Sequence, residues 1–258
     1  MVIKAILFDY IGTLVEPRNY YLEDSKTKLH EVLCQAGLPT DKTEFMEAYT
    51  KAHEKYRAVR YGQLREVTNA VWVSEALNNI RCKVTLEDER LKTALNSFFQ
   101  DFIDSLRLRP HAKELIKKAA EHCRVGLVSN FTYAPAIYAS LRKLRIDRDF
   151  SAIIVSESLG YRKPHAMIFE EALRLLQAKP IEGVFVGDSP SEDIDGAKKA
   201  GLHTVFVASR FNTLQDLEDC AAKPDYIFED LVEICEKLPE IVEHSGMRRL
   251  YGNSGLVE

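Results

Sequence analysis

The sequence predicts an α/β fold: a parallel sheet covered on both faces by helices, with an all-helical insertion after the first strand. Three observations predict it. After Pro110, short apolar runs alternate with helical segments, the pattern of a parallel sheet between helical layers. From about Leu22 to Leu108 the pattern is instead helical nearly throughout. Finally, the distinctive polar residues fall at strand ends, where ligands bind in such sheets.

Taken in order, Val2 to Phe8 reads as a buried strand from its apolar content and length. In the helical stretch, Asp41 with Glu44 and Thr85 with Asp88 are spaced as capping boxes. Phe45, Tyr49, His53 and Tyr56 recur at helical spacing, as do Leu64, Val67 and Val71. Such stripes are helix packing surfaces. Beyond Pro110, helices over 111–121, 134–143, 164–176 and 191–200 precede strands over 125–129, 152–156, 183–186 and 204–207. A last strand over 226–228 and a helix over 231–238 follow. The core is thus expected over residues 1–15 and 96–240, a helical cap over 16–95 and a C-terminal arm over 241–258.

Composition bounds the rest. The chain has 258 residues, 46% hydrophobic and 29% charged, enough for a full core and a second small domain. A net charge of −4 gives no electrostatic case for nucleic acid or an anionic membrane. No apolar stretch reaches the roughly 18 residues that span a bilayer, and no targeting signal is visible. Cys34, Cys82, Cys123, Cys220 and Cys235 are odd in number and form no CxxC. That argues against a disulfide framework or zinc site and for a reducing, cytoplasmic compartment. The expected assembly is a monomer or homodimer.

The distinctive strand-end polar residues are Asp9, Ser129, Lys163, Asp188 and Asp193, and with their neighbours they carry the chemistry. Asp9 closes the first strand in FDYIGTL, as a nucleophile or metal ligand, and Gly12 and Thr13 follow in a turn whose N–H groups can hold an anion. Ser129 and Asn130 end another strand and can donate to a transferring group's oxygens. Lys163, in YRKPHAMIF, can neutralise substrate charge beside Asp9. Asp188 and Asp193 lie five residues apart in VGDSPSEDIDGAKKAG. Two carboxylates so placed repel unless a divalent cation, here magnesium, joins them.

The set resembles the haloacid dehalogenase superfamily, in the branch with a helical cap inserted after the first strand. FDYIGTL, LVSN, SESLGYRKPHAMIF and VGDSPSEDIDGAKKAG match its four motifs in order, and the match runs through most of the chain. The resemblance implies a three-layer, Rossmann-like parallel-sheet core. It also implies that Asp9 attacks phosphorus to form an aspartyl-phosphate. Asp9, the backbone carbonyl of Ile11 and Asp188 would hold Mg2+, supported by Asp193. Thr13 would orient the loop, and Ser129, the Asn130 N–H and Lys163 would bind phosphate. The expected substrate is a small phosphorylated metabolite.

One position departs from the pattern. Ile11 stands where family phosphatases carry the aspartate that protonates the leaving group and then activates water. That help is worth roughly 10²–10⁴-fold, so the sequence predicts weak turnover biased toward good leaving groups. His53, Glu54, Arg57, Arg60 and Tyr61 are the visible cap candidates for a stand-in. Two alternatives stay open: a non-catalytic or regulatory phospho-ligand-binding protein, and a phosphonate or 2-haloacid hydrolase. For a Schiff-base phosphonate route, the cap lysines to consider are Lys42, Lys51 and Lys55.

Overall fold

The computed structural model describes residues 2–218 and 220–243. A six-stranded, all-parallel sheet is its centre. The strands are β1 (Ala5–Phe8), β4 (Arg124–Ser129), β5 (Ala152–Val155), β6 (Gly183–Gly187), β7 (His203–Val207) and β8 (Tyr226–Phe228), in the order β5-β4-β1-β6-β7-β8. Two strands are short and lie apart: β2 (Val15–Pro17) and β3 (Leu106–Leu108) pair antiparallel, Val15 opposite Leu108.

Strand alternation divides the core. Ile6 and Phe8 of β1 point to one face, where they pack with Leu115 of α5 (Ala112–His122), Ile137 of α6 (Ala134–Leu144) and Ile234 of α10 (Leu231–Glu243). Ala5 and Leu7 point to the other, against Ile168 and Phe169 of α8 (Ala166–Leu175) and Ala197 of α9 (Asp195–Lys199). Every residue of β1 and β6 is buried, as strands covered on both faces must be. This is the three-layer arrangement expected.

Between β2 and β3 lie four helices: α1 (Leu22–Gln35), α2 (Lys42–Gln63), α3 (Asn69–Asn79) and α4 (Glu89–Ser105). Helix α1 packs on α4 and α2 on α3. They enclose their own apolar cluster around Leu29, Phe45, Trp72 and Leu95. The expected boundary at residue 95 falls inside α4, which continues to Ser105 and packs on α6 of the core. A one-turn helix, α7 (Ser156–Leu159), was not foreseen.

Two local expectations are corrected. Asp41 caps α2, its carboxylate accepting from Glu44 N at 2.9 Å. At α4, however, the cap is Asp88 and not Thr85: the Asp88 carboxylate accepts from Arg90 N at 2.9 Å, and residues 85–88 form a turn before it. The stripe of Leu64, Val67 and Val71 is not one helix face. Leu64 ends α2 with φ 53°, and the next residues are drawn onto the core. Glu66 N donates to Gly160 O, and Arg162 N donates to Leu64 O. Tertiary hydrogen bonds there override a local helical pattern.

The expected arm from 241 onward begins as the last turn of α10, and residues 244–258 lie outside the described residues. All five cysteines are free. Among the described residues no helix is long and apolar enough to cross a membrane.

Candidate active site

Chain order makes β1 the switch point. From β1 the chain passes through the helical insertion to β4 and β5 on one side, then returns to β6 on the other. A crevice opens beyond the strand C-termini at such a point. Asp9 follows β1, Ser129 ends β4 and Asp188 follows β6. A cleft of about 320 Å³ there is lined by Asp9, Ile11, Ser129, Asn130, Asp188 and Asp193.

Lys163 is the pivot. It is 1% exposed, and its Nζ lies 2.6 Å from Asp9 Oδ1, 2.7 Å from Asp193 Oδ1 and 3.1 Å from Val128 O. Asp188 is held from three sides. Its Oδ1 accepts from Thr13 Oγ1 at 3.1 Å, and its Oδ2 accepts from Ser209 Oγ at 2.6 Å and Asn212 Nδ2 at 3.1 Å. Asp193 Oδ2 accepts from Ser189 N at 2.9 Å. Asn130 accepts from Lys163 N through Oδ1, at 2.7 Å, and its Nδ2 donates to Lys163 O and to Glu192 Oε2.

Two glycines let the carboxylates come this close. Gly12 has φ 101°, and a Cβ there would run into the Asp188 carboxylate. A Cβ on Gly187 would run into that of Asp193. Arg109 fixes the loop from behind, its Nη1 donating to Gly12 O at 2.6 Å and its Nη2 to Ala208 O at 2.7 Å.

The electrostatics are unbalanced. Carboxylate oxygens of Asp9, Asp188 and Asp193, all buried, lie within 4.8 Å of one another, and Lys163 is the ammonium among them. Burial raises Asp9 well above the ordinary carboxylate range; Lys163 opposes this, and Asp193 and Asp188 add to it. Asp193 is raised too, again chiefly by burial. Burial pulls Lys163 down, but Asp193 and Asp9 outweigh it and the ammonium is held charged. Asp9 Oδ2 is buried with no hydrogen-bond partner. An all-oxygen donor set with excess negative charge and an unsatisfied carboxylate oxygen fits a hard divalent cation such as Mg2+.

The insertion forms the lid of the cleft through Arg60 and Tyr61. A buried seam ties it to the core. Glu66, whose side chain is fully buried, pairs with Arg60 Nε at 2.5 Å and accepts from Ser156 Oγ at 2.6 Å. Arg162 donates to Glu192 Oε1 at 2.9 Å and lies over the Tyr61 ring at 4.3 Å. Of the other cap candidates, His53 lines an adjoining cavity, Arg57 is exposed over Tyr61, and Glu54 sits on the outer face of α2. Lys42 and Lys51 share that outer face, and Lys55 is exposed in an ion pair with Glu75. None of these three lysines lines the cleft.

Sequence reasoning singled out Asp9, Gly12, Thr13, Ser129, Asn130, Lys163, Asp188 and Asp193, and all of them gather here. It missed Arg109, Ser209, Asn212, Arg162, Glu192 and the Glu66 seam. Arg162 and Glu192 lie inside the motifs SESLGYRKPHAMIF and VGDSPSEDIDGAKKAG but were given no role there; the others carried no local signal.

Comparison with known proteins agrees with this fold. A family model described as haloacid dehalogenase-like hydrolase matches residues 3–201. The chain is 30% identical over 217 residues to a glyceraldehyde 3-phosphate phosphatase of Methanopyrus kandleri, covering 84% of this chain and 88% of that protein. It is 29% identical over 212 residues to the protein of the same name from Methanothermobacter thermautotrophicus, covering 80% and 86%. Among solved structures, a 2-haloacid dehalogenase from Pseudomonas syringae pv. Tomato DC3000 superposes with a TM-score of 0.67 at 22% identity, covering 95% of this chain and all of that one. At that identity the likeness speaks for the fold.

Proposed function

The chain belongs to the haloacid dehalogenase-like hydrolases, and we propose that it is a magnesium-dependent phosphatase of small phosphate esters acting through Asp9. The observation that carries this reading is the state of the Asp9 carboxylate. One oxygen is held by Lys163 at 2.6 Å, and the other is buried in the cleft without a hydrogen-bond partner. Two relatives named as phosphatases, matched over most of the chain, support it.

In this reading Asp9 attacks phosphorus. The Asp9 O–P bond forms as the bond from phosphorus to the ester oxygen breaks, and that oxygen leaves with the electron pair. Water then cleaves the aspartyl-phosphate, releasing phosphate and restoring Asp9. Ser129 and the Asn130 N–H bind phosphate oxygens, and Lys163 offsets their charge. Asp9, Asp188 and the Ile11 carbonyl would hold Mg2+, with Asp193 supporting them, and the ion would neutralise charge at the phosphoryl group.

Ile11 lines the cleft and can neither give nor take a proton. Turnover is therefore weak for alkyl esters. The same residue favours the second reading, a phospho-ligand-binding protein on this core. The position of the cap lysines counts against a Schiff-base phosphonate route.

The test is hydrolysis of an activated aryl phosphate, with and without magnesium, by wild type and Asp9→Asn. Magnesium-dependent turnover lost in the variant is expected. Turnover that ignores magnesium, or that survives in Asp9→Asn, overturns the reading. Metal-dependent phosphate binding with no covalent phosphate on Asp9 selects the binding protein instead.

A further inference from the structure

Beside the cleft lies a second space of about 250 Å³, walled by Tyr49 and Trp72 of the cap, Phe99 of α4 and Phe131 of the core. Arg60 and Asn130 line both spaces. Aromatic rings make up most of the walls, with Lys26 and Arg60 as the charged residues. Phe99 and Phe131 lie 5.5 Å apart between centroids, and His53 meets Trp72 edge-on at 5.5 Å. An apolar cavity of about 150 Å³ already admits benzene, so a single substituted ring fits here.

The chamber also carries polar handles. Asn69 is 4% exposed, and its Oδ1 has no hydrogen-bond partner, although its backbone N donates to Thr132 O at 3.2 Å. Trp72 Nε1–H lies near the Tyr49 hydroxyl without a well-formed hydrogen bond. Buried polar groups left open in a largely aromatic pocket are specificity elements when a ligand completes them.

A separate observation points the same way. Ile11 supplies no proton to a departing oxygen, which excludes efficient release of an alkoxide but not of a phenolate, a far weaker base. We infer that the chamber receives the leaving group, and that the preferred substrates are phosphate monoesters whose ester oxygen is bonded directly to an aromatic ring. This rests on the phosphatase reading above. As phosphorus passes to Asp9, the aryl oxygen departs with the bond's electron pair as phenolate and takes its proton from water. Asn69 Oδ1 accepts from a hydroxyl or amine on the ring.

The chain contains one tryptophan, Trp72, so its emission reports the chamber directly. Phenyl phosphate and glyceraldehyde 3-phosphate are titrated, with magnesium, into Asp9→Asn. A saturable change in Trp72 emission is expected with the aryl ester alone. In a second experiment Thr132, which lines the chamber, is replaced by Phe in the wild type to fill it. The ratio of kcat/KM for phenyl phosphate over glyceraldehyde 3-phosphate then falls roughly tenfold or more.

Emission that ignores phenyl phosphate in folded Asp9→Asn overturns the inference, even if Thr132→Phe fails to fold. A ratio unchanged in folded Thr132→Phe also overturns it. Saturable emission with no turnover by the wild type supports the ring chamber and overturns the phosphatase reading instead.

Discussion

The Lys163 ammonium and the Asp9 carboxylate meet at 2.6 Å across 154 positions of sequence. Lys163 also reaches Asp193 at 2.7 Å. One cation thus joins the end of β1 to the turn after β6, and it does so where Lys163 is 1% exposed. Removing it leaves two buried carboxylates without their partner. Lys163→Met is expected to cost about 3–5 kcal/mol of stability above about pH 8, where both carboxylates are charged, read as a lower urea midpoint in metal-free protein. A loss below about 1 kcal/mol, the range of surface pairs, would mean that the carboxylates do not depend on it.

Ile11→Asp is expected to restore the missing proton donor. Hydrolysis of an alkyl phosphate rises by roughly 10²–10⁴-fold, while an activated aryl phosphate gains far less. The comparison of the two kcat values decides it. Equal gains on both would mean that the new carboxylate acts on metal binding and not on the leaving group.

Gly12→Ala places a Cβ against the Asp188 carboxylate at a backbone φ of 101°. The expected cost is about 1–3 kcal/mol, with weaker magnesium binding in calorimetry. Gly37→Ala is the control: its φ is 85°, but nothing lies within 4 Å of an added Cβ. That variant should lose stability and keep its magnesium affinity.

In the proposed function, magnesium and protons compete for the same oxygens. In metal-free protein Asp9 is raised to about 8 and Asp193 to about 6, each chiefly by burial, from an unfolded value of about 4. The folded state therefore binds more protons than the unfolded one across that window. The contribution of these two groups to stability is full below about pH 4 and is lost as pH rises through the folded values. The ion replaces the lost protons, so the rise in Tm on adding magnesium should be larger at pH 8 than at pH 6. Magnesium at tenfold its Kd adds about 1.4 kcal/mol. A shift that shrinks as pH rises contradicts magnesium binding at these carboxylates.

What the sequence made legible follows from how each residue is positioned. Asp9, Ser129 and Asp188 stand at or just beyond strand ends, so period and turn chemistry locate them. Lys163 was visible as a lysine before a helix, but its contact with Asp193 belongs to the fold. Ser209, Asn212 and Arg109 act on the site through hydrogen bonds to residues far away in sequence, and no local pattern announces such partners. The break after Leu64 was unreadable for the same reason, since bonds to Gly160 and Arg162 decide it.

The ribbon of β2 and β3 has a consequence for ancestry. The chain leaves the sheet and returns to it through two strands hydrogen-bonded side by side, Val15 opposite Leu108, and so about 5 Å apart. An insertion attached at a gap that narrow does not stretch or reorder the sheet beneath it. Any helical cassette whose two ends lie one strand spacing apart can be spliced onto the same ribbon. Such a scaffold can exchange its lid and keep Asp9, Lys163, Asp188 and Asp193 in register, because the exchange leaves the strands that carry them untouched.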